Sequence, residues 1–265
     1  MSAGLAHLAM YDLAEVRGAV DELWRAIAAR LGPDAPAALT WPADIEAACR
    51  GPELVLGQTC GLPLVTALDG AVAVVGAFAR TGASDPDAHY RSVLIARRAA
   101  PLVAQAGRVA AVNSWGSLSG WASFGAAVQA AVPGAAPARR TPFFRDVIVT
   151  GAHVASLRAL ADGRADVACI DGVTLALVRT HRPDALVGLH EIGCGPRIPG
   201  LPLVTAAGRD VLALRAAIRG ALADPATAGA RRALLIEGFV PLGAPDYAIA
   251  RRLAATARAV LPPPT

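Results

Sequence analysis

Apolar and polar residues follow two spacings along the chain, one typical of helices and one typical of strands. Helical spacing is clearest in a segment that contains Val16, Val20, Leu23, Trp24, Ile27 and Leu31. The segment predicts an amphipathic helix that ends at Gly32 and Pro33. Short apolar runs such as "ELVLGQ", "AVAVVGAFA" and "GRVAAV" predict buried strands. Strands and helices alternate along most of the chain, so we expect an α/β architecture with largely parallel sheets and two lobes.

Two polar, glycine-rich loops lie between a predicted strand and a predicted helix. The first is "NSWGSLSG", with Asn113, Ser117, Ser119 and Gly120, and the second is "TGAHVAS", with His153 and Ser156. Ligands of open α/β sheets collect at the carboxyl ends of strands. The unpaired N–H groups at a helix start favour an anion there. The alternative is that each serine only caps its helix, and spacing alone leaves both interpretations open.

The sequence does not match the motifs of a serine nucleophile, a zinc site or a nucleotide-binding loop. A serine-nucleophile elbow needs Ser at the centre of G-x-S-x-G, but that position is Leu118. The segment "HEIGC" does not have the spacing of a zinc-binding H-E-x-x-H helix, and neither a phosphate-binding P-loop nor a G-x-G-x-x-G fingerprint occurs. We therefore expect neither a metal nor a cofactor.

Composition narrows the possible partners. The 265 residues carry a net charge of +4, and their arginines are scattered or paired, which does not indicate a nucleic-acid partner. No apolar run is long enough to predict insertion into a membrane. The four cysteines are too far apart in sequence for a metal clip, so reduced thiols are expected. The amino terminus lacks a signal-like pattern, which predicts a cytoplasmic protein as the sequence stands, or a periplasmic one if a signal was removed.

Several segments, taken in order, resemble one known family. They are "LVLGQTCGLPLV", "YRSVLIAR", "VAAVNSWGSLSGW" and "VTGAHVASLRALADGRADVACIDGVTLALV". Together they resemble the substrate-binding proteins of phosphate, phosphite and phosphonate ABC transporters. The resemblance implies a type 2 periplasmic-binding-protein fold with two lobes, each a mostly parallel sheet flanked by helices, and a ligand cleft between them. It places residues 1–88 and 191–265 in lobe 1 and residues 89–190 in lobe 2.

The resemblance also implies which residues bind the ligand. The predicted set is Tyr11, Gln58, Tyr90, Ser92, Asn113, Ser117, Ser119, Gly120, His153, Ser156 and Asp171. A carboxylate beside a bound anion repels it unless the ligand carries a proton or an ammonium group. Asp171 therefore either indicates such a ligand or caps the helix that follows it.

Two functions follow from these observations. The first is a non-catalytic binding protein that captures phosphate, phosphite or a phosphonate, with an ABC transporter permease as a possible partner. The second is a cytoplasmic enzyme or ligand sensor that uses the same fold and acts on a small carboxylate or a phosphorylated metabolite.

Overall fold

The computed structural model describes residues 4–132 and 142–261, and the chain forms two compact units. The first unit comprises Met1–His89 and Pro199–Ala248, and the second comprises Tyr90–Ile198 and Ile249–Thr265. Each unit contains a five-stranded sheet together with helices. The predicted α/β class with two sheets is therefore confirmed.

The described residues form ten strands and nine α-helices, besides several short 3₁₀ and π turns. The strands are β1 (Leu5–His7), β2 (Leu54–Gln58), β3 (Val72–Arg80), β4 (His89–Ala96), β5 (Val109–Val112), β6 (Asp146–Val149), β7 (Val167–Ile170), β8 (His190–Pro199), β9 (Leu203–Ala206) and β10 (Ile236–Val240). The helices are α1 (Arg17–Leu31), α2 (Ile45–Arg50), α3 (Gly61–Leu64), α4 (Ser123–Ala131), α5 (His153–Ala161), α6 (Gly172–His181), α7 (Val211–Ala223), α8 (Ala228–Ala233) and α9 (Ile249–Val260). None of the helices in these ranges combines the length and the apolar character that a membrane crossing requires.

The first helix shows how the apolar pattern produces structure. Val20, Leu23, Trp24 and Ile27 recur every three or four residues of α1, and all four are buried. Gly32 follows the helix at a φ of 85°, a conformation that favours glycine, and its N–H donates to the carbonyl of Ala28. The helix predicted from the periodicity is confirmed, including its end.

The sheet of the first unit has the strand order β1-β2-β9-β3-β10. Only β1 and β2 pair in parallel, because β9 lies antiparallel between β2 and β3, and β10 is antiparallel to β3. The prediction of a mostly parallel sheet is therefore wrong for this unit. An apolar run such as that of β9 indicates a buried strand but not its direction, which depends on where the chain re-enters the unit.

The sheet of the second unit has the order β6-β5-β7-β4-β8. Its three strands β5, β6 and β7 are parallel, while β4 is antiparallel to β7. The carboxyl ends of the parallel strands therefore lie at one edge of the sheet. This edge carries the two glycine-rich loops that the sequence singled out.

The bounds of the two units differ from those proposed from the sequence, which put residues 191–265 in lobe 1. Strand β8 lies beside β4 in the second sheet, and α9 belongs to the second unit. Helix α9 packs so closely on α4 that a Cβ on Gly125 would lie 2.4 Å from the Cα of Ala257. Packing between elements far apart in sequence decides this assignment, and the local pattern of α9 does not reveal it.

Candidate anion-binding site

The candidate site lies at the carboxyl edge of the second unit's parallel strands. Asn113 follows β5, Thr150 follows β6 and Asp171 follows β7. Because neighbouring parallel strands end at the same edge, the loops after them are brought together. We call Asn113, Ser117, Ser119, Gly120 and His153 the serine–histidine group.

A contact between two loops joins the serine–histidine group. The Oγ of Ser119 lies 3.0 Å from the Nε2 of His153, and the Oγ of Ser117 lies 3.4 Å from that of Ser119. Ser119 precedes α4, and His153 is the first residue of α5. The structure therefore brings together two predicted anion-binding loops that are 34 residues apart in sequence.

Gly120 allows this close approach. A Cβ at this position would lie 1.9 Å from the Oδ1 of Asn113 and 2.8 Å from the Cε1 of His153. Both distances are far below ordinary contact, so any side chain at position 120 would displace Asn113 or His153. The glycine in "SLSG" therefore makes room for these two side chains, and its backbone conformation is not one that favours glycine.

Ser117 and Ser119 have different roles in the group. Ser117 caps the turn that follows it, since its Oγ accepts a hydrogen bond of 2.9 Å from the N–H of Gly120. That turn, Leu118–Ala122, is a single π-helical turn that leads into α4. Such turns occur frequently at functional sites. The capping alternative kept open for the two serines therefore applies to Ser117, whereas the hydroxyl of Ser119 faces His153.

The surroundings of His153 favour the neutral form of its imidazole. Burial lowers its pKa, and this effect outweighs the opposing influence of the Asp171 carboxylate and a backbone hydrogen bond with Cys169. The N–H of Asp171 also approaches Nδ1 at 3.4 Å. A neutral histidine can offer one N–H donor to a ligand or to Ser119, but it contributes no full positive charge.

Helix α5 contributes further donors. Ala152 occupies its N-cap position and makes no side-chain hydrogen bond, so the first turn is not capped by a side chain from that residue. The N–H groups of a first helical turn point away from the helix and carry partial positive charge. They therefore add anion-binding potential beside His153.

Asp171 has the capping role that the sequence left as one of two alternatives. Its Oδ1 accepts hydrogen bonds of 2.9 Å from the N–H groups of Val173 and Thr174, at the start of α6. Its Oδ2 accepts a hydrogen bond from the hydroxyl of Tyr90. Tyr90 and Asp171 thus form a buried pair, and ligand contact by either residue stays a prediction.

Thr150 is a residue of this region that the sequence reasoning missed. Its Oγ1 lies 2.7 Å from the Oγ of Ser156 and within hydrogen-bonding distance of the carbonyls of Val112 and Ala152. Ser156 is fully buried. One feature of the sequence could have pointed to Thr150. It ends a predicted strand directly before the Gly151 turn, where a hydroxyl can link the strand end to the next helix.

Three further residues were predicted to bind the ligand: Ser92, Tyr11 and Gln58. Ser92 is fully buried on β4, beside the thiol of Cys169. Tyr11 and Gln58 belong to the first unit, where both line a small cavity together with Arg80. Their roles in ligand binding stay predictions.

Several solved structures have a fold similar to that of this chain, and some of them contain a bound ligand. The chain is 15% identical to PhnD1 from Prochlorococcus marinus, solved with methylphosphonate, at a TM-score of 0.76 over 97% of this chain and 99% of that one. It is 17% identical to the phosphonate transporter binding protein PA3383 from Pseudomonas aeruginosa, at a TM-score of 0.75 over 96% and 86% of the two chains. XAC2383 from Xanthomonas citri, solved with chloride, is 16% identical at a TM-score of 0.69 over 98% and 99%. These likenesses confirm the type 2 periplasmic-binding-protein fold.

A family model gives a more specific result than the fold. No curated protein matches the sequence. The model of the phosphonate periplasmic substrate-binding proteins of ABC transporters matches residues 8–247. Its description is of proteins that bind a phosphonate in the periplasm for an ABC transporter. The chain belongs to this family of periplasmic substrate-binding proteins of phosphonate ABC transporters.

Proposed function

We propose that the serine–histidine group of the second unit binds the oxyanion head of a phosphonate, with phosphate and phosphite as close alternatives. The observation that carries this proposal is the 3.0 Å contact between Ser119 and His153. It joins two loops that each lead into a helix of nine residues, α4 and α5. Helix starts, small residues and hydroxyls are the features that allow an anion to approach a backbone closely.

The electrostatics of the group agree with recognition by hydrogen bonds and dipoles. Burial lowers the pKa of His153, which favours its neutral form. A tetrahedral oxyanion offers several acceptor oxygens, which hydroxyl and N–H donors can satisfy without a counter-charge. Family membership favours this function over the cytoplasmic enzyme or sensor. Delivery of the ligand to a permease is part of the same proposal.

The direct test is calorimetric titration of the protein with methylphosphonate, 2-aminoethylphosphonate, phosphite and phosphate. We expect heat of binding from at least one of them. Absence of heat from all four would contradict the proposal. The amino-bearing compound also tests Asp171, because a carboxylate committed to capping α6 gives an ammonium group no advantage over a methyl group.

Gly120→Ala tests whether the serine–histidine group is the binding surface. The new Cβ must displace Asn113 or His153, so we expect affinity to fall by about 1–3 kcal/mol, roughly five- to 150-fold. Gly116→Ala is the matched control in the same loop, because the nearest atom that the described residues offer to its Cβ is the Ser114 Oγ, at an ordinary contact distance of 3.6 Å. Equal affinities of the two variants would show that the ligand binds elsewhere.

A further inference from the structure

Two arginines of the first unit line a cavity that the proposed function does not use. The cavity has a volume of about 350 Å³ and is formed by helix α8, the start of β10 and the residue that follows β3. Its lining residues are Thr81, Ala228, Arg231, Arg232, Leu235 and Ile236. All six belong to the first unit, so the cavity is a feature of that unit alone.

The charges of the two arginines are not paired within the part of the chain that the structure describes. Neither Arg231 nor Arg232 forms an ion pair with a carboxylate there. The Nε of Arg231 is buried and has no hydrogen-bond partner among these residues. A buried N–H group without a partner is uncommon in folded proteins and indicates a ligand, an ion or a water that completes it. An anion in the cavity would also reduce the repulsion between two neighbouring positive charges.

The backbone of one cavity wall departs from regular geometry. Leu235 has a φ of 58°, a left-handed conformation that is unfavourable for a residue with a side chain. Its carbonyl accepts a hydrogen bond of 2.8 Å from the N–H of Thr81. The register of β10 against β3 then shifts between Ile236 and Gly238. Strained residues and strand irregularities of this kind cluster at ligand-binding sites.

The helix explains why arginines are found here, but it does not explain the cavity. Both arginines lie in the last turn of α8, where positive charge stabilises a helix. The first acidic residue after them is Glu237, whose Oε2 accepts a hydrogen bond of 2.9 Å from the hydroxyl of Thr81. Two positive charges therefore stand against this one carboxylate, which gives the surroundings of the cavity a net positive charge.

We propose that this cavity is a second anion-binding site, which takes a small organic anion with a carboxylate or phosphate head. Guanidinium groups bind both kinds of head through pairs of parallel hydrogen bonds. Ala228, Leu235 and Ile236 offer apolar surface to a short aliphatic part of the ligand. The volume lies at the lower end of the range of small-molecule sites. The site is independent of the serine–histidine group, which belongs to the other unit.

NMR of the arginine side-chain Nε–H groups in isotope-labelled protein locates the binding, and Arg231→Gln assigns the signal of Arg231. The probes are acetate, butyrate and inorganic phosphate. We expect butyrate to shift the Arg231 signal in a saturable way at concentrations up to about 10 mM. Acetate should bind about fivefold or more weakly, because it lacks two methylene groups. Phosphate compared with acetate identifies the head group that the cavity favours.

Substitutions then test the two arginines against a matched control. Arg231→Gln and Arg232→Gln should each weaken the binding of butyrate, measured by calorimetry, by about tenfold. Arg209→Gln should keep the wild-type affinity within about twofold. Arg209 is a suitable control because it belongs to the same unit and also has a buried Nε without a partner among the described residues, but it is not one of the residues that line the cavity.

The outcomes separate this proposal from the proposed function. A shift of the Arg231 signal that persists in Ser119→Ala supports a second site, since that variant alters only the serine–histidine group. A shift that disappears in Ser119→Ala would mean that the signal reports a ligand bound by that group, and would overturn the second site. If the protein binds methylphosphonate but none of the three probes moves the Arg231 signal, the proposed function stands and the second site is refuted. Equal affinities for acetate and butyrate would refute the organic nature of its ligand.

Discussion

His7 in the first unit and His153 in the second share several features but occupy different surroundings. Each packs on a glycine: a Cβ on Gly57 would lie 2.7 Å from the Nε2 of His7, and one on Gly120 would lie 2.8 Å from the Cε1 of His153. Burial lowers the pKa of both imidazoles. A histidine that packs against a glycine and has a lowered pKa is therefore not by itself the mark of a functional site.

The partners of the two histidines decide their roles. His7 is fully buried, its Nε2 lies 3.4 Å from the thiol of Cys49, and its Nδ1 has no hydrogen-bond partner among the described residues. Burial also raises the pKa of Cys49 to about 12, so the thiol stays protonated and unreactive. His153 is only half-buried and contacts groups at helix starts. We conclude that His7 belongs to the core, whereas the surroundings of His153 support its proposed place in a binding surface.

The largest expected effect concerns His7 and the pH dependence of stability. Burial lowers its pKa from 6.5 to about 4, so the unfolded chain binds a proton that the folded chain does not. The stability due to neutral His7 is complete above pH 6.5 and is lost as the pH falls toward 4. At about 1.4 kcal/mol per pH unit, wild type should lose roughly 2–3 kcal/mol between pH 7 and pH 4.5 from this group.

Urea unfolding at the two pH values measures that loss. His7→Leu removes the titrating group and should lose about 2–3 kcal/mol less than wild type over the same interval. His190→Gln is the control, because His190 is an exposed residue of β8. Its loss of stability between the two pH values should equal that of wild type. Parallel losses in wild type and His7→Leu would refute the core assignment of His7. Ligand affinity at pH 7 should be unchanged in His7→Leu.

The second effect concerns Ser119 and His153, which should act as a pair. Each hydrogen bond to a charged ligand contributes about 1.5–3 kcal/mol, so we expect Ser119→Ala and His153→Ala each to weaken binding by that amount. Because the two side chains touch at 3.0 Å, the double variant should lose less than the sum, with a coupling of about 0.5–1.5 kcal/mol.

Calorimetry on the four proteins of this cycle gives the coupling energy directly. Ser123→Ala is a suitable control, since this serine lies one turn further along, at the start of α4, and is buried without a hydrogen-bond partner among the described residues. Strict additivity of Ser119→Ala and His153→Ala would mean that they do not act on the same ligand group. If both single variants kept the wild-type affinity, Ser119 and His153 would have only a structural role.

Local patterns in the sequence located much of this site. The two glycine-rich loops stand out because they interrupt apolar runs, and the periodicity of α1 predicts both its buried face and its end. The position of β9 between β2 and β3 could not be predicted in this way, because a four-residue apolar strand can pair in either direction. Pairing, and with it the sheet order, depends on contacts between segments about 130–150 residues apart in sequence.

Individual side-chain roles depend on the same kind of distant contact. Asp171 could be a ligand contact or a cap, and only the hydrogen bonds from Val173 and Thr174 show that it caps α6. Arg80 ends an ordinary strand, and nothing in "FAR" indicates that its guanidinium lies over Tyr11, 69 residues earlier in the chain. The sequence shows the charge and the chemical type of each side chain, but it does not show which distant residue the side chain contacts, and that contact decides its role.

The smallest effect concerns Thr150, which supports the serine–histidine group without belonging to it. Its hydroxyl lies 2.7 Å from that of Ser156 and 3.2 Å from the carbonyl of Val112, which links the end of β5 to α5. Thr150→Val keeps the shape and removes these hydrogen bonds, so we expect a loss of about 0.5–1.5 kcal/mol in stability.

Affinity should fall no more than about threefold, because His153 is also held by Ser119. Thr180→Val is the control: it removes a hydroxyl that donates to the carbonyl of Ala176 within α6, and it should leave affinity unchanged. A loss of affinity in Thr150→Val as large as that of Ser119→Ala would place Thr150 in direct contact with the ligand, and would extend the binding surface from the start of α4 to the end of β6.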